Sequence, residues 1–351
     1  MVFPTAQSNQ ATWVDKGVYS LGGEGEMKKI LLTGAAGFIG SNAATALLRR
    51  GDMVVGVDNL NDYYDPARKH ANLEEVRGRA PEPEKFVFHR MDIRDEAGID
   101  ELCAKHGFDV MIHLAAMAGV RASIDDPKLY LDVNLVGTLN LLEAARRHGH
   151  PPFVFASTSS VYGPTKVIPF IETDRADHPL APYPASKRAA ELLGYSYFHL
   201  FGQDFTALRF FTVYGPRGRP DMMAYKVLDN IFEGAEVPLY NNGQMHRDWT
   251  YVDDIVQGLL AAADRPLGYE VINLGRGKPT LLADFVQLIE DQAGKRSDLI
   301  DRPMPAADME YTYANIDRAK ELLGYEPTVT VEQGVKEFWY WYRDTVLEAR
   351  P

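Results

Sequence analysis

Along the first 210 residues, short apolar runs alternate with longer stretches whose apolar residues recur at helical spacing. A run of four to eight apolar residues fits a strand buried on both faces, and recurrence every three or four residues fits a helix with one buried face. This pattern predicts strands at 28–33 (KKILLT), 53–57 (MVVGV), 85–89 (KFVFH), 109–114 (DVMIHL), 152–156 (PFVFA) and 204–210 (DFTALRF). Helices are predicted at 41–50, closed by Gly51, across 125–147, and over 184–202, with Pro184 in the first position, where no amide partner is lost. Residues 59–84 read as a polar connection holding one short helix. Beyond 210 the pieces are less regular: helices at 223–233, 252–263, 281–294 and 331–348, and strands at 270–273 and 310–314. Strict alternation of strand and helix predicts a parallel sheet with helices on both faces, so the expected class is α/β.

Composition narrows the picture only at the edges. Of 351 residues, 46% are apolar and 25% charged, which suits a globular chain with a sizeable core. The net charge of −12 argues against a nucleic-acid or anionic-membrane surface. Cys103 is the only cysteine, so no intrachain disulfide forms and a reducing cytoplasm is expected. No run of about 18 apolar residues predicts a membrane span. Residues 1–26 are read as a flexible extension, with the folded part beginning at Met27.

The chemistry-bearing stretches fall at the ends of the predicted strands. The first strand runs into GAAGFIG at 34–40, and a helix follows at once. Strand, glycine turn and helix are the context of a dinucleotide fingerprint. Its glycines permit a tight turn, approach to a pyrophosphate and close helix packing, while the helix N-terminus offers amide donors. Here the spacing is GxxGxxG, with glycines at Gly34, Gly37 and Gly40. Asp58 ends the second strand, 18 residues after Gly40, where an acid receives ribose hydroxyls and disfavours a 2′-phosphate. Asp92 after the third strand is either an adenine contact or a turn residue. Ala115, Ala116 and Ala118 after the fourth are small enough for a ligand to lie against the backbone. Asn134, inside the predicted 125–147 helix, is either core glue or a group that orders the site. Ser157, Thr158, Ser159 and Ser160 put four hydroxyls at the end of the fifth strand.

Tyr183-Pro-Ala-Ser-Lys187 supplies a reactive pair. Residues four apart on a helix share a face. A phenol has a pKa of about 10, and a neighbouring ammonium favours the phenolate, so the pair is either a proton acceptor near neutral pH or the chance spacing that many helices carry.

Taken together, the chain resembles the extended short-chain dehydrogenase/reductase family over roughly residues 27–345. The resemblance rests on GAAGFIG at 34–40, Asp58, LAAMAGV at 114–120, STSSVYG at 157–163, YPASK at 183–187, RFFTVYGP at 209–216 and RDWTYVDDI at 247–255. Within the family it is similar to nucleotide-sugar 4-epimerases, and most to those acting on UDP-glucuronate. The resemblance implies a Rossmann-type doubly wound sheet with a smaller mixed α/β C-terminal substrate-binding domain. It assigns 27–210, joined by 248–275, to NAD, and 211–247 with 276–345 to the nucleotide sugar. It also implies a homodimer joined through the 125–147 and 184–202 helices.

The implied catalytic residues are Thr158, Tyr183 and Lys187. Tyr183 would take the proton of the sugar 4-hydroxyl, Thr158 would hydrogen-bond the same oxygen, and Lys187 would hold the nicotinamide ribose and depress the Tyr183 pKa. The implied cofactor site comprises Gly34, Gly37, Phe38, Ile39 and Gly40, then Asp58, Asn59, Asp92 and Ile93. It continues through Leu114, Ala115, Ala116, Ala118 and Asn134 to Ser157, Tyr183, Lys187 and Phe210. For the substrate, Arg219 and Arg247 match diphosphate positions, Asp308 matches an acid on the uridine ribose, and Arg121 is a further candidate. Arg217, Arg219 and Arg247 all admit a solvated-surface reading, which motif context disfavours for the latter two. Asp308 follows Ala307 where relatives often have Gly. Decarboxylases of this family carry Glu after the STS, and 4,6-dehydratases an Asp-Glu pair. This chain has Ser159 and Ser160, with Thr212 where many relatives have Asn, and the three hydroxyls either suit a uronate carboxylate or only stabilise turns. The implied reaction is conversion of UDP-glucuronate to UDP-galacturonate. A UDP-glucose/UDP-galactose epimerase is the nearest alternative, followed by a decarboxylase or dehydratase, a net NAD(P)-dependent dehydrogenase and a non-catalytic dinucleotide sensor. No metal, nucleic acid or membrane partner is expected.

Overall fold

The computed structural model describes residues 26–348. The expected extension 1–26 lies outside them except for Glu26. Seven strands form one parallel sheet: β1 (Lys29–Thr33), β2 (Met53–Asp58), β3 (Phe86–Arg90), β4 (Val110–His113), β5 (Phe153–Thr158), β6 (Phe205–Phe210) and β7 (Tyr269–Leu274). Their spatial order is β7-β6-β5-β4-β1-β2-β3. The chain order reverses direction beside β1, which places a crevice at the C-terminal ends of β1 and β4.

Alternation along each strand feeds both faces. Ile30 and Leu32 of β1 enter one buried cluster and Leu31 the other, and Val154 and Phe155 of β5 divide the same way. That is why the strand runs are continuously apolar rather than alternating. A third cluster belongs to the C-terminal part, where Tyr225, Trp249, Phe285 and Phe338 are buried together. Short strand pairs frame it: Glu236–Tyr240 with Asp298–Arg302, and Thr212–Tyr214 with Trp249–Tyr251.

Several expectations need correction. The 125–147 helix is broken into Ala122–Asp125, Pro127–Leu131, a π-helical turn Asp132–Val136, and Gly137–Arg147. Pro127 restarts the helix after Asp126, whose side chain caps Leu129 N. The polar connection 59–84 holds a 14-residue helix, Pro66–Arg79, capped by Asp65 and burying only Lys69, Asn72, Leu73 and Val76. The helix bearing Tyr183 and Lys187 begins two residues earlier than predicted, spans Pro182–Phe201 and ends on left-handed Gly202, so Pro184 is third rather than first. The expected strand 310–314 reduces to Tyr311–Thr312 plus a bridge from Ala314 to Phe170. The last helix stops at Tyr342 and continues as a π turn, Arg343–Leu347.

Candidate active site

The C-terminal ends of the central strands open into a cavity of about 290 Å³. Its floor is the glycine turn. Gly34 has φ +72, and a Cβ there would sit 2.7 Å from Ala115 N. A Cβ on Gly40 would sit 2.0 Å from Gly34 O. Both positions therefore require glycine. Gly37 caps the Phe38–Arg50 helix without a side-chain hydrogen bond, so the amides of its first turn have no side-chain partner.

At the far end Asp58 accepts from Ala36 N at 3.2 Å and Leu60 N at 2.9 Å. Asn59 donates to Asp92 at 2.9 Å, and the Arg94 guanidinium hydrogen-bonded to Asp92 holds its carboxyl well below the usual range. Phe38, Ile39, Ile93, Leu114, Ala115, Ala116, Ala118, Ser157 and Phe210 all line this cavity. Asn134 does not. It is fully buried behind the wall, its Oδ1 accepting from Met117 N at 2.8 Å and its Nδ2 donating to Met117 O at 2.9 Å and Ser186 Oγ at 3.0 Å. The π turn aims this side chain inward, so Asn134 fastens the 115–118 segment to the helix carrying Tyr183. Of its two readings, the ordering one fits.

Thr158, Tyr183 and Lys187 meet at the inner end of the cavity. The Thr158 hydroxyl lies beside the Tyr183 phenol and accepts from Ser160 N at 3.2 Å. Lys187 is 2% exposed, its Nζ 4.1 Å from the centroid of the Phe155 ring. The electrostatics differ from expectation. Burial pushes the Tyr183 phenol up, and the groups opposing it are the Thr158 hydrogen bond and the Arg219 charge. Burial also pushes Lys187 down to about 7, against the pull of Glu191. The positive charge that opposes the rise of Tyr183 comes from Arg219.

Behind the pair lies a network invisible to motif reading. Glu191, fully buried one turn after Lys187, accepts from Arg209 Nε at 3.0 Å and Nη2 at 2.8 Å, and from Ser157 Oγ at 2.5 Å. These bonds tie the Tyr183 helix to β5 and β6.

Two more cavities, about 420 and 210 Å³, adjoin the first, and Thr212 lines all three. Arg121, Arg247 and Asp308 line the second, and Ser159, Ser160, Arg247 and Asp308 the third. Arg121 donates to Asp308 at 2.9 Å and lies 4.1 Å from the centroid of the Tyr240 ring, while Arg247 approaches Asp308 at 3.9 Å. Arg219 lines the first cavity and pairs with Asp221. Arg217 is not on the surface. At 4% exposure and φ +65 it donates to Ser41 O and Thr45 Oγ1, each at 2.9 Å, and pins its loop to the Phe38–Arg50 helix.

Tyr63, Tyr64 and Lys69 also line the first cavity and were missed. Lys69 Nζ donates to Asn61 at 2.7 Å and stands 4.0 Å from Asp58. Their signal was DNLNDYYDPARK, two aromatics and a lysine directly after the acid.

Comparison with known proteins follows the same lines. The profile of the NAD dependent epimerase/dehydratase family matches residues 30–275. A UDP-glucuronate 4-epimerase of Thermodesulfobacterium geofontis is 42% identical over 317 residues, covering 90% of this chain and 96% of its own. The crystal structure of a UDP-glucuronic acid 4-epimerase from Bacillus cereus, in complex with UDP-glucuronic acid and NAD, matches with a TM-score of 0.83 at 33% identity, covering 90% of this chain and 99% of its own. A UDP-glucose 4-epimerase from Thermotoga maritima matches with a TM-score of 0.82 at 31% identity, covering 91% and 99%.

Proposed function

The chain belongs to the NAD dependent epimerase/dehydratase family, and from that premise we propose that it is an NAD-dependent UDP-glucuronate 4-epimerase, interconverting UDP-glucuronate and UDP-galacturonate. The observation that carries the reading is the meeting of Thr158, Tyr183 and Lys187 beside Thr212, where three cavities join. The cradle fits NAD. It has a turn that a methyl group on Gly34 or Gly40 would block, a helix start with no side-chain cap, and an acid at Asp58. Bound there, NAD supplies a hydride acceptor and donor for the sugar C4.

The chain's own residues handle the proton and the orientation. Tyr183 and Thr158 hydroxyls lie within hydrogen-bonding reach of each other, so one sugar oxygen can meet both. Tyr183 takes the 4-hydroxyl proton as C4 is oxidised and returns it when C4 is reduced from the other face. Arg219 stabilises the phenolate, and Lys187 would hold the cofactor ribose. Arg219 and Arg247 hold the diphosphate, and Asp308 the uridine ribose. With the nucleotide anchored, the sugar turns over at the junction. Ser159, Ser160 and Thr212 hold its carboxylate with neutral donors, which restrains the β-keto acid from losing CO₂. The Pro182–Phe201 helix exposes Leu192, Tyr195, Leu200 and Phe201, and the helical segments packed beside it expose Leu131, Val136 and Leu139, which supports a homodimer that covers part of this surface. We place the enzyme in the cytoplasm, a reducing setting suited to its buried, unpaired Cys103.

The test is incubation with UDP-glucuronate and, separately, UDP-glucose, without added NAD, with products read by NMR. UDP-galacturonate is the expected product. A UDP-pentose would overturn the role given to the three hydroxyls, and conversion of UDP-glucose alone would make the enzyme a glucose-type epimerase.

A further inference from the structure

Both arginines assigned above to the diphosphate face a carboxylate of this chain. Arg219 donates from Nε to Asp221 Oδ1 at 2.9 Å and from Nη2 to Oδ2 at 3.0 Å. This is the forked contact a phosphate would make, with a carboxylate in its place. Arg247 faces Asp308 at 3.9 Å, and Arg121 shares that carboxylate at 2.9 Å. Asp221 and Asp308 both line the second cavity, so the two acids stand on the path a nucleotide would occupy.

The Asp221 pair has the features of a replaceable contact. Its loop is fixed at Arg217, whose guanidinium also reaches Glu75 at 3.0 Å, so the backbone beside Arg219 is held while its partner changes. The Arg219 side chain is 24% exposed and that of Asp221 39%, so the acid has water to turn into. The Tyr63 hydroxyl and the Lys226 ammonium also act on the acid, and Tyr63 lines both the first and second cavities. Arg219 also acts on Tyr183, so the partner of this guanidinium bears on the reacting phenol.

We propose that Asp221 is a resident counter-ligand of Arg219: its carboxylate holds the guanidinium in the free enzyme, yields it to the incoming diphosphate and takes it back as the nucleotide sugar leaves. Asp221 is then a positioning residue that acts through Arg219. It keeps the cation aimed between turnovers and weakens ground-state binding, which favours release. The inference rests on the nucleotide-sugar reading above.

The experiment is calorimetric titration of UDP into the purified enzyme, its Asp221→Asn variant and its Asp221→Glu variant, with a thermal melt of each and steady-state kinetics. Asp221→Asn removes the competing charge while keeping the shape. It is expected to bind UDP about threefold tighter or more. Its KM for the nucleotide sugar should fall in proportion without a rise in kcat, its melting temperature should stay near that of the parent, and Asp221→Glu should return towards the parent. Equal or weaker UDP binding by a folded Asp221→Asn overturns the proposal, because a merely structural aspartate gives that result. If the unaltered enzyme itself binds no UDP, the nucleotide-sugar reading falls and this inference falls with it.

Discussion

At the 34–40 turn the wall of the site is backbone, while across the cleft, around Arg121, Arg247 and Asp308, it is charged side chains from three separate segments. The turn tolerates no substituent at Gly34 or Gly40, and its geometry is complete without a ligand. In the charged wall, each arginine assigned to the diphosphate faces an acid already in place. A shape made of main chain suits a cofactor that stays through every cycle. Exchangeable ion pairs suit a substrate that must enter, turn and leave. Tyr183 sits where the two regions meet, its phenol pushed up by burial and opposed by Thr158 and Arg219.

The largest effect should come at that junction. Tyr183→Phe removes the proton acceptor and should lower kcat by about 10³-fold or more while leaving NAD bound. NMR of the product and the absorbance of released NAD measure the two separately, and retained turnover would sink the role of the phenol. Next comes the backbone wall. Gly40→Ala drives a methyl group into Gly34 O and should cost on the order of 3 kcal/mol, lowering Tm by roughly 6–12 °C with loss of NAD. Calorimetry checks it, and a normal Tm with full NAD would show that the turn yields more than its geometry suggests.

The substrate wall should answer in specificity rather than stability. Thr212→Val is expected to lower kcat/KM for UDP-glucuronate about tenfold and to change that for UDP-glucose little. Parallel losses on both sugars would break the assignment of Thr212 to the carboxylate. The smallest effect concerns Lys187, which is pushed down to about 7 in the folded chain against about 10.4 in an unfolded one. Below pH 7 the lysine is charged in both states, and folding bears the full penalty of burying the charge. Between the two values the folded state has given up the proton that the unfolded state keeps, so stability rises with pH. Lys187→Met should therefore raise the Tm of cofactor-stripped protein by about 2–4 °C below pH 7, with the gain shrinking towards pH 10. A gain that is constant with pH would contradict the shift.

This division also explains what could be read in advance. The strands of the main sheet, the glycine turn and the YPASK pair carry their signals locally, in apolar runs and fixed spacings, and they fall within a residue or two of expectation. The π turn at Asp132–Val136 does not, because it is set by the bonds of Asn134 to Met117 and Ser186, far away in sequence. Pro66–Arg79 was shortened because a helix burying four residues, two of them polar, leaves little apolar periodicity. The Glu191–Arg209 pair and the carboxylate facing Arg247 arise from tertiary approach, whereas Asp221 lies only two residues from Arg219. No spacing announced that Arg219, rather than Lys187, would oppose the rise of the Tyr183 phenol.

The central claim is that C4 loses and regains the same hydrogen while Tyr183 moves only the hydroxyl proton. UDP-glucuronate deuterated at C4, converted in ordinary water and followed by NMR, tests it most directly. The account predicts UDP-galacturonate that keeps its deuterium at C4. Product carrying solvent hydrogen at C4 would contradict it.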